Sequence, residues 1–108
     1  MRLYCDRHMG GSGGNVYAVF LVTPRGHRYI GTLEFGEYCV LPPDAQKRPR
    51  VATLWFMGIA EGVLEVHVLT EKGLRRIAEK TVVPSMVLKR HVGPLDAQEV
   101  LTALESSR

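Results

Sequence analysis

The sequence predicts an α+β domain: a mostly antiparallel sheet of five or six strands, a C-terminal helix over 96–106 and a second helix over 71–81. Three observations carry this expectation. Short β-branched and aromatic runs, broken by Gly and Pro, fill the chain from Val16 to Thr70. Apolar residues then recur at helical spacing after Thr70, and Asp96 precedes a second stripe of that kind.

Residues 1–14 read as a flexible N-terminal segment: a short edge strand over Arg2–Cys5, then Gly10-Gly11-Ser12-Gly13-Gly14. Five residues with almost no packable side chain resist a single conformation, whether the run is a natural loop or an engineered junction. Residues 15–108 read as a single β-rich domain. Val16–Thr23 is β-branched, aromatic and uncharged, as expected of a strand covered on both faces. Pro24-Arg25-Gly26-His27 supplies a turn, and Arg28–Phe35 returns with partial alternation to complete a hairpin. Tyr38–Leu41 is a short strand stopped by Pro42-Pro43, and a proline-punctuated basic loop runs on to Arg50. Val51–Met57 and Val63–Thr70 are further strands, the latter placing Leu64, Val66 and Val68 opposite Glu65 and His67.

The segment Glu71–Thr81 decides the architecture. As a strand its alternation is poor, because Leu74 shares a face with Arg76 and Lys80. As a helix, Leu74, Ile77, Ala78 and Thr81 make one stripe, with Thr70 as N-cap and Glu71 at the positive end. Helix is the expectation, against the alternative of a hairpin turn at Glu71-Lys72-Gly73. Val82–Val83 and Met86–Arg90 read as a last, proline-interrupted edge strand. Asp96 then caps the terminal helix, whose stripe is Ala97, Val100, Leu101 and Leu104. The expected core is Val16, Ala18, Phe20, Leu33, Leu54, Phe56, Leu64, Val66 and Val68.

At 108 residues, 45% hydrophobic and 23% charged, the chain has the size and composition of one globular core. Its two cysteines are too few for a disulfide scaffold. The longest nearly uncharged run is far shorter than the ~20 apolar residues of a membrane helix. The expectation is therefore a soluble, cytoplasmic protein with reduced thiols, no membrane association and no cofactor.

The formal net charge of +3 is unevenly distributed. Lys47, Arg48 and Arg50 sit on the proline-rich loop, Lys72, Arg75 and Arg76 follow Thr70, and Lys89 and Arg90 end the last expected strand. Converging, these residues would track phosphates, with Tyr29, Tyr38 or Trp55 available for stacking. Against this, Glu71 and Glu79 supply local pairing of an ordinary solvated face.

Cys5, His8, His27 and Cys39 form the candidate metal set, because Cys5 and His8 have a two-residue ligand spacing and sulfur with imidazole suits tetrahedral zinc. No second tightly spaced pair exists, and Cys39 between Tyr38 and Val40 reads as a buried small hydrophobe. The glycine run leads into a strand rather than a helix, so it lacks the geometry of a phosphate loop. His67, near Glu65 on the wetter face of its strand, is the best acid/base candidate, without a nucleophile or orienting group to complete a catalytic set. Meanwhile the strand Val16–Val22 is too apolar to leave either face in water. The expected function is thus a non-enzymatic binding or adaptor module working through protein–protein contact, self-association included. Nucleic-acid binding on the basic surface is the alternative.

Overall fold

A computed structural model describes residues 2–11, 14–58, 60–88 and 95–105. Strands β1 (Arg2–Gly11), β2 (Gly14–Thr23) and β3 (Gly26–Phe35) form one antiparallel meander. A second is built from β4 (Glu37–Leu41), β5 (Arg50–Phe56), β6 (Gly62–Thr70) and β7 (Gly73–Val82). A 3-10 turn at Pro84–Met86 then leads to helix α1 (Ala97–Glu105). The β-rich α+β class with a C-terminal helix is as expected. The single curved sheet is not: the described residues contain seven strands in two sheets.

The four-stranded sheet is the middle layer. Its alternating side chains feed two separate apolar clusters, as the two-residue period of a strand requires. Ala52, Leu54, Leu64 and Val66 face α1, where Val100 is fully buried among them with Val87, Leu88 and Leu95. Val51, Val40, Trp55, Leu69 and Leu74 face the three-stranded sheet and meet Leu3, Cys5, Val19 and Leu21. Helix α1 starts where the sequence places it. Asp96 Oδ1 accepts hydrogen bonds from the backbone N–H of Gln98 (2.9 Å) and of Glu99 (3.3 Å), satisfying two otherwise orphaned donors. Tyr38 pins the sheets together: its hydroxyl donates to the carbonyl oxygen of Cys5 at 3.2 Å, and its ring meets Tyr17 edge-on at 5.5 Å.

Several expectations require correction. Glu71–Thr81 is no helix. Glu71-Lys72 is a hairpin turn, and β7 pairs antiparallel with β6 from Thr70↔Gly73 to Gly62↔Val82. A bulge opposite Val66/His67 inserts Ile77 into β7. The strand therefore changes face midway, so Leu74 packs toward the other sheet and Ala78 toward α1. The apolar spacing that mimics a helix is the signature of that extra residue.

On β2 the expected face is inverted. Val19 and Leu21 are buried between the sheets, whereas Val16, Ala18 and Phe20 are only half-buried. With apolar residues at every position, the pattern cannot fix which face turns inward, and a one-residue slip exchanges all of them. A second bulge, between Val19 and Phe20 opposite Tyr29 and Gly31, adds Ile30 to β3 and turns Tyr29 outward although Leu33 packs inward. Gly31, at φ 141°, occupies a conformation at that bulge which L side chains rarely adopt. Phe56 is exposed at the end of β5 rather than in the core.

Beyond β7, Pro84–Met86 is a 3-10 turn and Leu88 makes an isolated bridge to Leu95, in place of a last strand. At the N-terminus, the short edge strand becomes the ten residues of β1, which take in Gly10 and Gly11, and Gly14 opens β2. Among the described residues, no helix is long and apolar enough to cross a membrane.

Candidate functional site

Two surfaces bring chemically distinctive side chains together, one on each sheet. The first is basic and centres on the β6–β7 turn. Thr70 builds the turn: its hydroxyl donates to the carbonyl of Gly73 at 2.8 Å and accepts from the N–H of Lys72 at 3.2 Å. Lys72 and Arg75 are thereby presented beside the loop that joins β4 to β5.

That loop is organised by Asp44, whose carboxylate accepts from the backbone N–H of Gln46 and Arg48 and from Arg48 Nε at 2.8–2.9 Å. These bonds from Arg48 hold the Asp44 carboxyl below the usual carboxylate range. An open groove of ≈ 760 Å³ results, lined by Gln46, Arg48, Lys72 and Arg75 among others. It shares Thr70, Glu71 and Lys72 with a second recess that reaches Arg28 and Tyr29 on β3.

The structure thus assembles Arg48, Lys72 and Arg75 from the expected phosphate-tracking set and places Lys47, Arg50 and Arg76 apart from them. Lys47 is exposed on the loop at φ 63°. Arg50 Nε donates to the carbonyl of Pro42 at 2.8 Å. Arg76 lies on the opposite face of β7, where it joins Glu65 at 2.9 Å and Glu79 at 3.6 Å. It bridges two carboxylates that face each other across the β6–β7 ladder. Lys89 and Arg90 lie outside the described residues.

The candidate metal ligands are separated by layers. Cys5 is buried between the sheets, Cys39 packs on the α1 side of the middle sheet, and His27 touches Tyr4 and Phe20 on the outer face of β1–β3. The side chain of His8 is outside the described set. Burial pushes the Cys5 thiol up to about 12, and burial with the nearby Asp96 charge pushes Cys39 to about 11. Both are protonated thiols at neutral pH, the wrong form for a nucleophile. Among the described residues, no group of three His, Cys, Asp or Glu side chains is arranged to hold a metal.

His67 is also placed differently from expectation. It faces the inter-sheet layer with only 9% of its surface exposed, and its Nδ1 has no hydrogen-bond partner among the described residues. Desolvation lowers its pKa, the nearby Glu65 raises it, and Arg76 lowers it again. Glu65 is engaged with Arg76, so the pair does not form an acid/base site open to substrate.

The second surface is aromatic and was missed in the sequence. On the outer face of the three-stranded sheet, Tyr4, Phe20 and Tyr29 stand in one cross-strand row. His27 sits beside them, 5.9 Å from Tyr4 and 6.3 Å from Phe20 between ring centroids. Phe20 and Tyr29 make an edge contact at 5.8 Å. Despite these contacts Tyr4 remains 40% and Tyr29 58% exposed. Asp6, two residues along β1 from Tyr4, borders a shallow recess of ≈ 360 Å³ formed with Tyr4, Phe20 and His27. The one signal in the sequence was the uncharged strand Val16–Val22, too apolar for either face to be left to solvent. No protein-family model, curated protein sequence or solved structure matches the chain.

Proposed function

We propose that the chain is a non-enzymatic binding module that docks a protein partner on the outer face of β1–β2–β3. The cross-strand row Tyr4–Phe20–Tyr29, with both tyrosines exposed and Phe20 half-buried between them, carries the reading. Aromatic side chains offer large contact area at low entropic cost, and they are enriched where protein surfaces meet. Three of them in register on an open sheet make a platform that an isolated protein gains nothing by exposing. A displayed peptide library selected against the whole protein tests this. Selected ligands should shift the resonances of Tyr4, Phe20 and Tyr29, and Tyr29→Lys should abolish their binding. Ligands that consistently map elsewhere would overturn the assignment. Sedimentation at rising concentration tests whether that partner is a second copy, since Tyr29→Lys would then restore the monomer.

A specific observation also favours nucleic acid as a second reading. Arg48, Lys72 and Arg75 share one groove, which continues past the β6–β7 turn to Arg28 and Tyr29. Cations along a groove with an aromatic ring at one end suit a single strand, with phosphates on the cations and a base on the ring. Glu71 within the groove and Asp44 beside Arg48 weaken that field, which ranks this reading second.

A further inference from the structure

We infer that the recess framed by Tyr4, Phe20 and His27 receives the cationic head of a partner's basic side chain, a lysine ammonium or its methylated forms, with Asp6 as the counter-ion. The inference rests on the outer-face docking reading and names what the partner must present there.

The three rings form a triangle with centroid separations of 5.9, 6.3 and 6.3 Å. Their planes are inclined to one another by 37°, 60° and 86°, so no pair is stacked face to face. Ring faces that are not consumed by stacking remain available to a further group. A cation within about 6 Å of a ring centroid is attracted by the negative face of the π system, and several rings around one recess add their contributions. The strand geometry makes the arrangement specific. Tyr4 and Phe20 are cross-strand partners, while His27 enters diagonally from β3 beside Val22.

Rings alone would accept any apolar side chain, and Asp6 is what selects a cation. It lines the same recess, is exposed, and makes no ion pair with any described residue. Among the described residues its negative charge has no ion-pair partner, in a chain whose formal net charge is +3. The grouped cations Arg48, Lys72 and Arg75 line a different groove. A phosphate or carboxylate would meet repulsion from Asp6, and a neutral aliphatic group would leave Asp6 without a counter-ion. A lysine-type ammonium satisfies both components, and methylation improves the fit by replacing strongly hydrated N–H groups with methyls that lie against the rings.

The test is a resonance-shift titration of the full chain. The first probe is tetramethylammonium chloride, compared with sodium chloride at equal ionic strength. The second is one lysine-centred peptide in three forms: unmodified, trimethylated, and with the trimethylammonium replaced by a neutral tert-butyl group. Saturable shifts at Tyr4, Phe20 and His27 are expected with tetramethylammonium and both charged peptides, and binding of the neutral form should be weaker by about fivefold or more. Asp6→Asn, an exposed and conservative change, should weaken the charged peptides by about two- to fivefold while leaving the neutral one unaffected. Tyr4→Ala should weaken them at least as much, with the resonances of β4–β7 unchanged as proof of folding. Equal binding of the charged and neutral peptides would overturn the cation assignment and leave outer-face docking intact. If neither tetramethylammonium nor any peptide perturbs Tyr4, Phe20 and His27 beyond sodium chloride, the recess is not a cation site. The docking reading would then be decided separately by the effect of Tyr29→Lys on library-selected ligands.

Discussion

Replacing His67 with leucine should stabilise the protein, and more so in mild acid. The imidazole is buried in the layer between the sheets, opposite Val51, with Nδ1 unpartnered among the described residues. A buried polar atom without a partner costs ~1–3 kcal/mol. Leucine removes that cost at similar volume, so a gain of about 1 kcal/mol is expected at pH 8. Acid adds a second contribution. Burial first, and Arg76 after it, lower the His67 pKa below its ordinary 6.5, against an opposing pull from Glu65. The unfolded chain therefore binds more protons than the native state once the pH drops below the ordinary value. Native stability is fully present above that pH and declines below it, by at most ~1.4 kcal/mol per pH unit, until the folded-state imidazole itself protonates. The advantage of His67→Leu should grow from about 1 kcal/mol at pH 8 to as much as ~2.4 kcal/mol at pH 5.5. Urea denaturation of both proteins across this range, analysed by linear extrapolation, reads the difference directly. A variant less stable than the parent at pH 8, or a gap that fails to widen below pH 6.5, would refute the account of His67.

Other outcomes follow from single contacts. Tyr38→Phe removes the hydroxyl that donates to Cys5 across the sheets but keeps the ring against Tyr17, and should cost ~0.5–1.5 kcal/mol in thermal or urea unfolding. Asp96→Ala leaves the N–H groups of Gln98 and Glu99 without their acceptor and should cost ~0.5–2 kcal/mol by the same measurement. Both cysteines, with thiols pushed to about 12 and 11, should resist alkylation at pH 8 in the native protein and react freely in denaturant. If Arg48, Lys72 and Arg75 hold a single strand, log affinity should fall against log salt with a slope of about −2, and Arg75→Ala should reduce that slope by about 0.7. Negligible binding, or a flat salt response, would remove the nucleic-acid reading.

The apolar face of β6 was legible in the sequence, although the face expected to be wet carries the buried His67. Leu64, Val66 and Val68 alternate with Glu65 and His67, and these three are buried as expected, as is Leu54. Asp96 and the stripe through Val100 located α1, because a cap oxygen and a helical period agree there. Legibility failed at the bulges of β3 and β7. Ile30 and Ile77 each shift the alternation by one residue, so apolar positions on β3 and β7 change faces along the strand. On β7 the result reads as a period near four, the same pattern a helix writes. Of the surfaces, the Lys72–Arg75 part of the basic groove was visible as local charge, but its union with Arg48 depends on tertiary contact between loop and turn. The aromatic recess combines residues of three strands, and no local spacing announces it.

Gly36 is the only residue between the two meanders: β3 ends at Phe35 and β4 begins at Glu37. Its N–H donates to the carbonyl of Leu54 at 2.8 Å, and a Cβ there would come within 2.5 Å of the Phe56 ring, so the junction tolerates glycine alone without displacing that ring. Among the described residues every strand pairing joins consecutive strands, hence each ladder closes over a short stretch of chain. Such local wiring places the molecule toward the rapid end of the range for sheet proteins, since little loop entropy is lost before contacts form. Between these two locally wired ribbons the chain has a single residue, about which they fold upon each other.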